Sequence, residues 1–493
     1  MLSELKKLSK HTLIYGTGIL LGKAIGFFLI PLYTHYLTPR DYGILELLDL
    51  TGYIMGEFFG MGLSESILRY YPYYSEEKDK KAVVSTAITF NFILGIIFTV
   101  TILCASKFLA KIILASKEYA YLFRILAINL FLGSIVGIMK SVLQVQQRST
   151  FLTSISLIRT AIALFLNICF VALFKLDVKG ILYSTLITSS LISAYLAVTI
   201  LRYTSFSFQL SKLIKMLKYG LPFLPNGILM FIFNWSDRYI LRIYSNMESI
   251  GLYALGYKIG MIAVFLISIP FNLIWRAYIF DVEKKPNAKL IYSRFATYYL
   301  LILLTVSLLI ATLSKEIITI LAAPSYLSAY KVIPLIVLSM VFMCSDNVFQ
   351  VGILLKRKTH YLPTITAIAA FTNVFLNFIL IPKYNMMGAA LATAISFFVY
   401  ILATYFVAQK IYFIPFETKR IEKILFCAIL LFFFTNVFAF HSMFLSFVIK
   451  GIVTVSVFPF MLYFTGFLLP EEKVYLVHGF KFLRGYVIRP FTK

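Results

Sequence analysis

The chain has 493 residues, of which 60% are hydrophobic and only 14% charged, a balance too apolar for a water-soluble protein of this length. Its formal charge of +25 reads as membrane topology and not as a nucleic-acid footprint, since no long polar segment could carry a basic domain.

A span needs about 20 apolar residues to cross the hydrocarbon. Runs of that kind fall at 12–37, 41–64, 82–105, 119–142, 151–174 and 180–201. After a basic connection they resume at 219–243, 251–275, 294–313, 332–355, 361–381 and 387–409, and a last pair follows at 423–440 and 444–466. The expectation is an all-α membrane protein with about 14 transmembrane helices. Lys6, Lys7 and Lys10 precede a first run too long for a cleavable signal, and no small-residue cleavage site follows it, so it reads as a retained span. With that end in the cytoplasm, most Lys and Arg fall in cytoplasmic segments and the C-terminus is cytoplasmic too.

The order of the spans contains a duplication. Gly43, Arg148, Asn167 and Gly180 reappear as Gly251, Arg357, Asn377 and Gly388, at offsets of 208, 209, 210 and 208 residues. Tyr15-Gly16 likewise matches Tyr219-Gly220. Each copy holds an even number of spans, so both enter from the same side and form parallel lobes about a pseudo-two-fold axis. The expected division is an N-lobe at 1–201, a cytoplasmic linker at 202–218, a C-lobe at 219–410, and a C-terminal helix pair with a basic tail at 411–493.

The chemistry of an enzyme is not visible. Cys104, Cys169, Cys344 and Cys427 stand singly in apolar spans, without disulfide or metal spacing. There is no Gly-rich phosphate loop and no Gly-x-Ser-x-Gly elbow, and His11, His35, His360, His441 and His478 are dispersed. We therefore expect a non-enzyme without cofactor or metal.

The informative residues are ionisable ones inside spans, each costing about 2.5–3.5 kcal/mol near the bilayer centre on insertion scales. Lys23, Arg159 and Lys258 lie within spans, whereas Arg124, Lys140 and Arg238 sit nearer span ends, where long side chains can snorkel. Glu46, Asp49 and Glu57 accompany them on the second span, Asp237 stands beside Arg238, and Asp346 lies midway along the tenth. Lys23 can pair with Asp49 or Glu57. One reading is a structural ion pair between helices; the other is a hydrated cationic cavity for an anionic headgroup, with a carboxylate for proton or sodium coupling. Gly18, Gly22 and Gly26, like Gly52, Gly56 and Gly60, recur every four residues, and Gly256 and Gly260 bracket Lys258. Such stripes allow either close helix packing or bending at the charged position. Pro31, Pro222, Pro225, Pro270, Pro334 and Pro363 add sites for kinks.

The run YLTPRDYGILELLDL, from Tyr36 to Leu50, and the run GMGLSESILRYYPYYSEEKDKKAVVSTA, from Gly60 to Ala87, resemble the first lobe of Wzx-type polysaccharide flippases. These form a branch of the multidrug/oligosaccharidyl-lipid/polysaccharide (MOP) exporter superfamily. The resemblance covers essentially the whole chain. It implies alternating-access transfer of a polyprenyl-pyrophosphate-linked oligosaccharide across the cytoplasmic membrane, working with membrane lipids and other polysaccharide-assembly proteins and without nucleic acid. Carried onto this sequence it makes Lys23 the first candidate for the headgroup, then Arg159 and Lys258. Arg69, in a Leu-Arg-Tyr motif, would meet the headgroup on entry, with Lys140, Arg124 and Arg238 as further candidates. Asp49, Glu57, Asp237 and Asp346 would serve ion coupling or salt bridging. The positions of the second copy that match Lys23 and Arg159 are apolar or small, so the expected anion site is asymmetric and belongs to the first lobe. A lipid II flippase or a multidrug/cation antiporter would share the lobes. A membrane polymerase or ligase would need a long outward loop bearing arginines, which this chain lacks.

Overall fold

The computed structural model describes residues 26–205, 207–437 and 442–473, and every regular element among them is helical. Helix α1 (residues 26–36) leads into α2 (Pro39–Gly60). The start of α2 is set by a reciprocal cap: Thr38 Oγ1 accepts from the Asp41 N–H, Asp41 Oδ2 accepts from the Thr38 N–H at 3.1 Å, and Pro39 holds the first helical position. Met61 and Gly62, with φ of 44° and 65°, turn the chain into α3 (Leu63–Tyr70). The 38-residue α4 (Glu77–Leu114) follows. At about 57 Å it outreaches the ~30 Å of hydrocarbon, so its charged first turn projects beyond it. Helix α5 (Ala120–Val145) returns, α6 (Ser149–Asn167) runs on through a wide-turned segment Ile168–Leu173, and α7 (Asp177–Ile200) completes the N-lobe.

A short α8 (Leu210–Gly220) precedes the C-lobe, which comprises α9 (Phe223–Tyr244), α10 (Met247–Gly260), α11 (Ile269–Glu283), α12 (Ala288–Thr312), α13 (Ser314–Leu321), α14 (Ile333–Phe349), α15 (Val351–Leu355) and α16 (Tyr361–Ile411). Helices α17 (Thr418–Val437) and α18 (Met443–Phe464) form the last pair. Among the described residues ten helices are long and apolar enough to cross a membrane. Their outward rings, such as Phe371, Phe375, Phe406 and Phe464, are exposed, as lipid-facing side chains are. The 51-residue α16 breaks at Asn385 (φ 52°, ψ −132°), three residues after Pro382, so one run divides between the expected spans 361–381 and 387–409. Helix α2 is outside the ten because Asp41, Glu46, Asp49 and Glu57 all lie on it.

The repeat landmarks have steric causes. Helices α2 and α10 run parallel and cross where a Cβ on Gly43 would stand 2.1 Å from the Met247 carbonyl oxygen, and a Cβ on Gly251 would stand 1.9 Å from that of Pro39. Only glycine permits so close a crossing. Gly388 packs on the end of the helix before it, where a Cβ would meet the Leu380 carbonyl at 2.2 Å, and Gly180 does the same against Phe170 at 3.1 Å.

The connection between lobes is more structured than a linker. Leu213 and Met216 of α8 join the apolar cluster of Leu63, Ile67, Val83 and Val142, Ser66 Oγ donates to the Met216 carbonyl at 2.7 Å, and Lys212 pairs with Asp79 at 2.6 Å. The pair α17/α18 packs on α12. Lys450 bonds Glu316 at 2.9 Å near one end, and Arg420 bridges Glu417 and Glu472 at 2.8 Å near the other.

Candidate functional site

The two lobes meet along α2. Near its start Glu46 lies between two cations of the C-lobe: Arg238 Nε at 3.6 Å and Lys258 Nζ at 3.8 Å. Arg238 is buried, with its Nη1 2.8 Å from Asp237 Oδ1 and its guanidinium over the rings of Tyr257 (4.0 Å) and Tyr253 (4.9 Å). The Tyr253 hydroxyl donates to Asp237 Oδ2 at 2.6 Å, and Thr393 reaches the same oxygen at 3.3 Å. This is a closed ion cluster, in which each charge has an opposite charge beside it. Lys258 is different: its ammonium donates to the Tyr42 hydroxyl at 3.1 Å, yet its side chain remains 40% exposed.

One turn apart along the middle of α2 stand Asp49, Tyr53 and Glu57. Asp49 is exposed although α2 packs against helices of both lobes, which makes this stripe the wall of a cleft. Tyr53 stacks on Phe231 and meets Trp235 edge-on at 4.8 Å, Thr51 bonds Tyr239 at 2.9 Å, and the Glu57 carboxylate is 3.4 Å from a Cβ built on Gly227. Beyond the end of α2, a Cβ on Gly62 would stand 2.3 Å from the Gly220 carbonyl oxygen, and Arg69 covers the Tyr219 ring at 4.8 Å. The seam is thus pinned at the face carrying Arg40, by Gly43 and Gly251, and again at the face carrying Arg69.

Lys140 on α5 and Arg159 on α6 are half-buried and within electrostatic reach of each other. Neither forms an ion pair among the described residues. Two cations within reach of each other and without an ion-paired carboxylate favour an anion nearby. Arg124 is exposed and donates to Ser106 at 3.3 Å. Lys23 lies outside the described residues. Asp346 accepts from Gln350 at 2.7 Å and lies within electrostatic reach of Arg276, on a part of α14 away from the α2 seam. Asp237 continues into a buried polar chain on α16, in which Asn377 donates to Asn373 at 2.8 Å and Asn373 to Ser396 at 2.9 Å. Among the described residues no three His, Cys, Asp or Glu side chains gather as a metal site.

Sequence reasoning brought out Arg238, Lys258, Asp49 and Glu57, but passed over Tyr42, Tyr253 and Thr393. Nothing distinguishes those tyrosines within a chain that has 33 of them.

The arrangement has known counterparts. A lipid II flippase MurJ in an inward closed conformation superposes with a TM-score of 0.76 at 16% identity, over 92% of this chain and 99% of that one. An inward-facing multidrug resistance MATE family transporter of the MOP superfamily gives 0.61 at 18% identity, over 80% and 94%. These likenesses establish a shared fold. In sequence the chain is 23% identical over 428 residues to the uncharacterized membrane protein MJ1068 of Methanocaldococcus jannaschii, covering 80% of this chain and 82% of that protein. Residues 34–331, more than half of the 493, match the family described as polysaccharide biosynthesis protein. This multi-pass membrane protein belongs to the polysaccharide biosynthesis protein family.

Proposed function

We propose that the protein is a flippase that carries a polyprenyl-pyrophosphate-linked oligosaccharide from the inner to the outer leaflet of the cytoplasmic membrane, by alternating access between its lobes. In this reading the Arg69 face is cytoplasmic, as the Lys and Arg distribution suggests, and both termini lie on that side. The observation that carries the proposal is the pair Lys140 and Arg159: half-buried cations of the N-lobe, within electrostatic reach of each other and without an ion-paired carboxylate among the described residues, are suited to a pyrophosphate. Lys258 contributes from the C-lobe and Lys23 from the first span, while Arg69 meets the headgroup where the cleft opens. Asp346 is the carboxylate through which a proton or sodium ion would be coupled, while Asp237 serves the salt bridge to Arg238.

A second reading rests on the cleft wall. Asp49 and Glu57 are acidic and would suit a cationic cargo, as in a drug antiporter. The lipid II flippase reading shares the anionic headgroup and differs only in the sugar. Complementation of a deletion strain separates them. Arg159→Ala and Lys23→Ala should each abolish surface glycan while the protein stays inserted. Sensitivity to cationic drugs with unchanged glycan would sink the flippase reading in favour of the antiporter.

A further inference from the structure

The face that carries Arg40 holds a second cavity, separate from the cleft. It measures about 390 Å³ and lies above the crossing of Gly43 and Gly251. Arg40 and Ser116 line it from the N-lobe; Arg242, Asn246, Met247 and Glu248 line it from the C-lobe. Both arginines line the cavity, and neither guanidinium has an ion pair among the described residues. Glu248, though part of the wall, bridges to neither arginine. The floor is the start of α10, where the Asn246 side chain caps the Ser249 N–H at 2.9 Å and leaves the N–H groups of Met247 and Glu248 free at the positive end of a 14-residue helix. Ser116 Oγ already accepts from the Glu118 N–H at 3.2 Å, so its own proton can be given to a ligand.

We propose that this cavity binds a phosphate group, held between Arg40 of one lobe and Arg242 of the other. Two forked donors without a carboxylate partner, one from each lobe, and a helix N-terminus between them match a tetrahedral oxyanion. The volume suits a phosphorylated headgroup, since small-ligand sites start at about 300 Å³. Because the walls come from both lobes at the point where their backbones touch, the ligand ties the lobes together in the closed arrangement. The chemistry is shared by an anionic phospholipid headgroup and by a soluble phosphate compound. The site is independent of what passes through the cleft.

The test uses the full chain reconstituted in phosphatidylcholine vesicles and titrated with inorganic phosphate while thermal unfolding is followed. A soluble source predicts a rise of about 2 °C at roughly ten times the dissociation constant. A lipid source predicts the same rise when phosphatidylglycerol is mixed into the vesicles, with added phosphate then giving nothing more. In either case Arg40→Gln and Arg242→Gln should each weaken the response by about tenfold. Arg40 is exposed, so its variant remains informative even where Arg242→Gln folds poorly. Absence of a shift from both phosphate and phosphatidylglycerol overturns the proposal. So does a response that either single variant leaves intact, since the site requires both lobes.

Discussion

Glu46 faces Arg238 at 3.6 Å and Lys258 at 3.8 Å, so one carboxylate serves two cations of the opposite lobe. Its removal strands a buried guanidinium beside Asp237 alone. Glu46→Gln should therefore lower stability by about 3 kcal/mol, at the lower end of what breaking a buried pair costs. The melting temperature of the solubilised protein measures this, and Glu46→Asp should recover part of the loss. Arg124 and Arg159 make a contrasting pair: Arg124 has a serine partner and an exposed position, whereas Arg159 is half-buried and has no hydrogen-bond or ion-pair partner among the described residues. Arg124→Ala should leave glycan export near wild type, while Arg159→Ala should reduce it by at least about tenfold, the worth of a charged hydrogen bond. The ionisable side chains of the spans were legible in the sequence because charge among apolar residues stands out. Their partners were not. Arg238 reads as a snorkelling residue by its place near a span end, yet it is buried because Glu46 of α2 and two tyrosine rings of α10 close over it beside its own neighbour Asp237.

At the scale of helices, the crossing of α2 and α10 rests on two missing side chains. Gly43→Ala or Gly251→Ala places a methyl group against a carbonyl oxygen at about 2 Å and must push the lobes apart at the Arg40 face. Labelling of cleft residues from that face by a membrane-impermeant reagent should rise in both variants. Gly133→Ala, where a Cβ meets nothing within 4 Å, should change nothing. The C-terminal pair offers another test. Lys450→Met strands Glu316 inside the α13/α18 contact and should destabilise the protein, and Glu316→Gln added to it should restore much of the loss, as measured by thermal unfolding. Long helices could be read from apolar runs, including the division of α16. Helix α8 could not, because its Leu213 and Met216 make a short stripe whose meaning depends on Leu63 and Ile67 being there to receive it. The acidic content of α2 disguises a helix whose polar face meets the other lobe.

For the whole molecule, the α2 seam is closed at the Arg40 face and at the Arg69 face at once, the geometry of an occluded state. Under the alternating access proposed above, one pin must part while the other holds. A cleavable thiol-reactive linker between Thr51→Cys and Tyr239→Cys, positions that bond across the seam at 2.9 Å, should stop transport, and reduction should restore it. Unimpaired transport by the bridged protein would rule out separation of α2 from α9 as part of the cycle.

The reciprocal contact between Gly43 and Gly251 also bears on ancestry. Pro39 touches Gly251 as Met247 touches Gly43, at one common offset, and this is the form of the self-complementary patch on which a symmetric dimer closes. A half-length ancestor could pair with its own copy through this contact, with a single glycine serving both partners. After fusion each half mutates alone. Arg40 and Glu248, at the same offset, have already taken opposite charges within the shared cavity rim. The glycines have no such freedom, since a change in either one blocks the crossing by itself. Fusion thus released the charges to specialise while leaving the axis bound to its original symmetry.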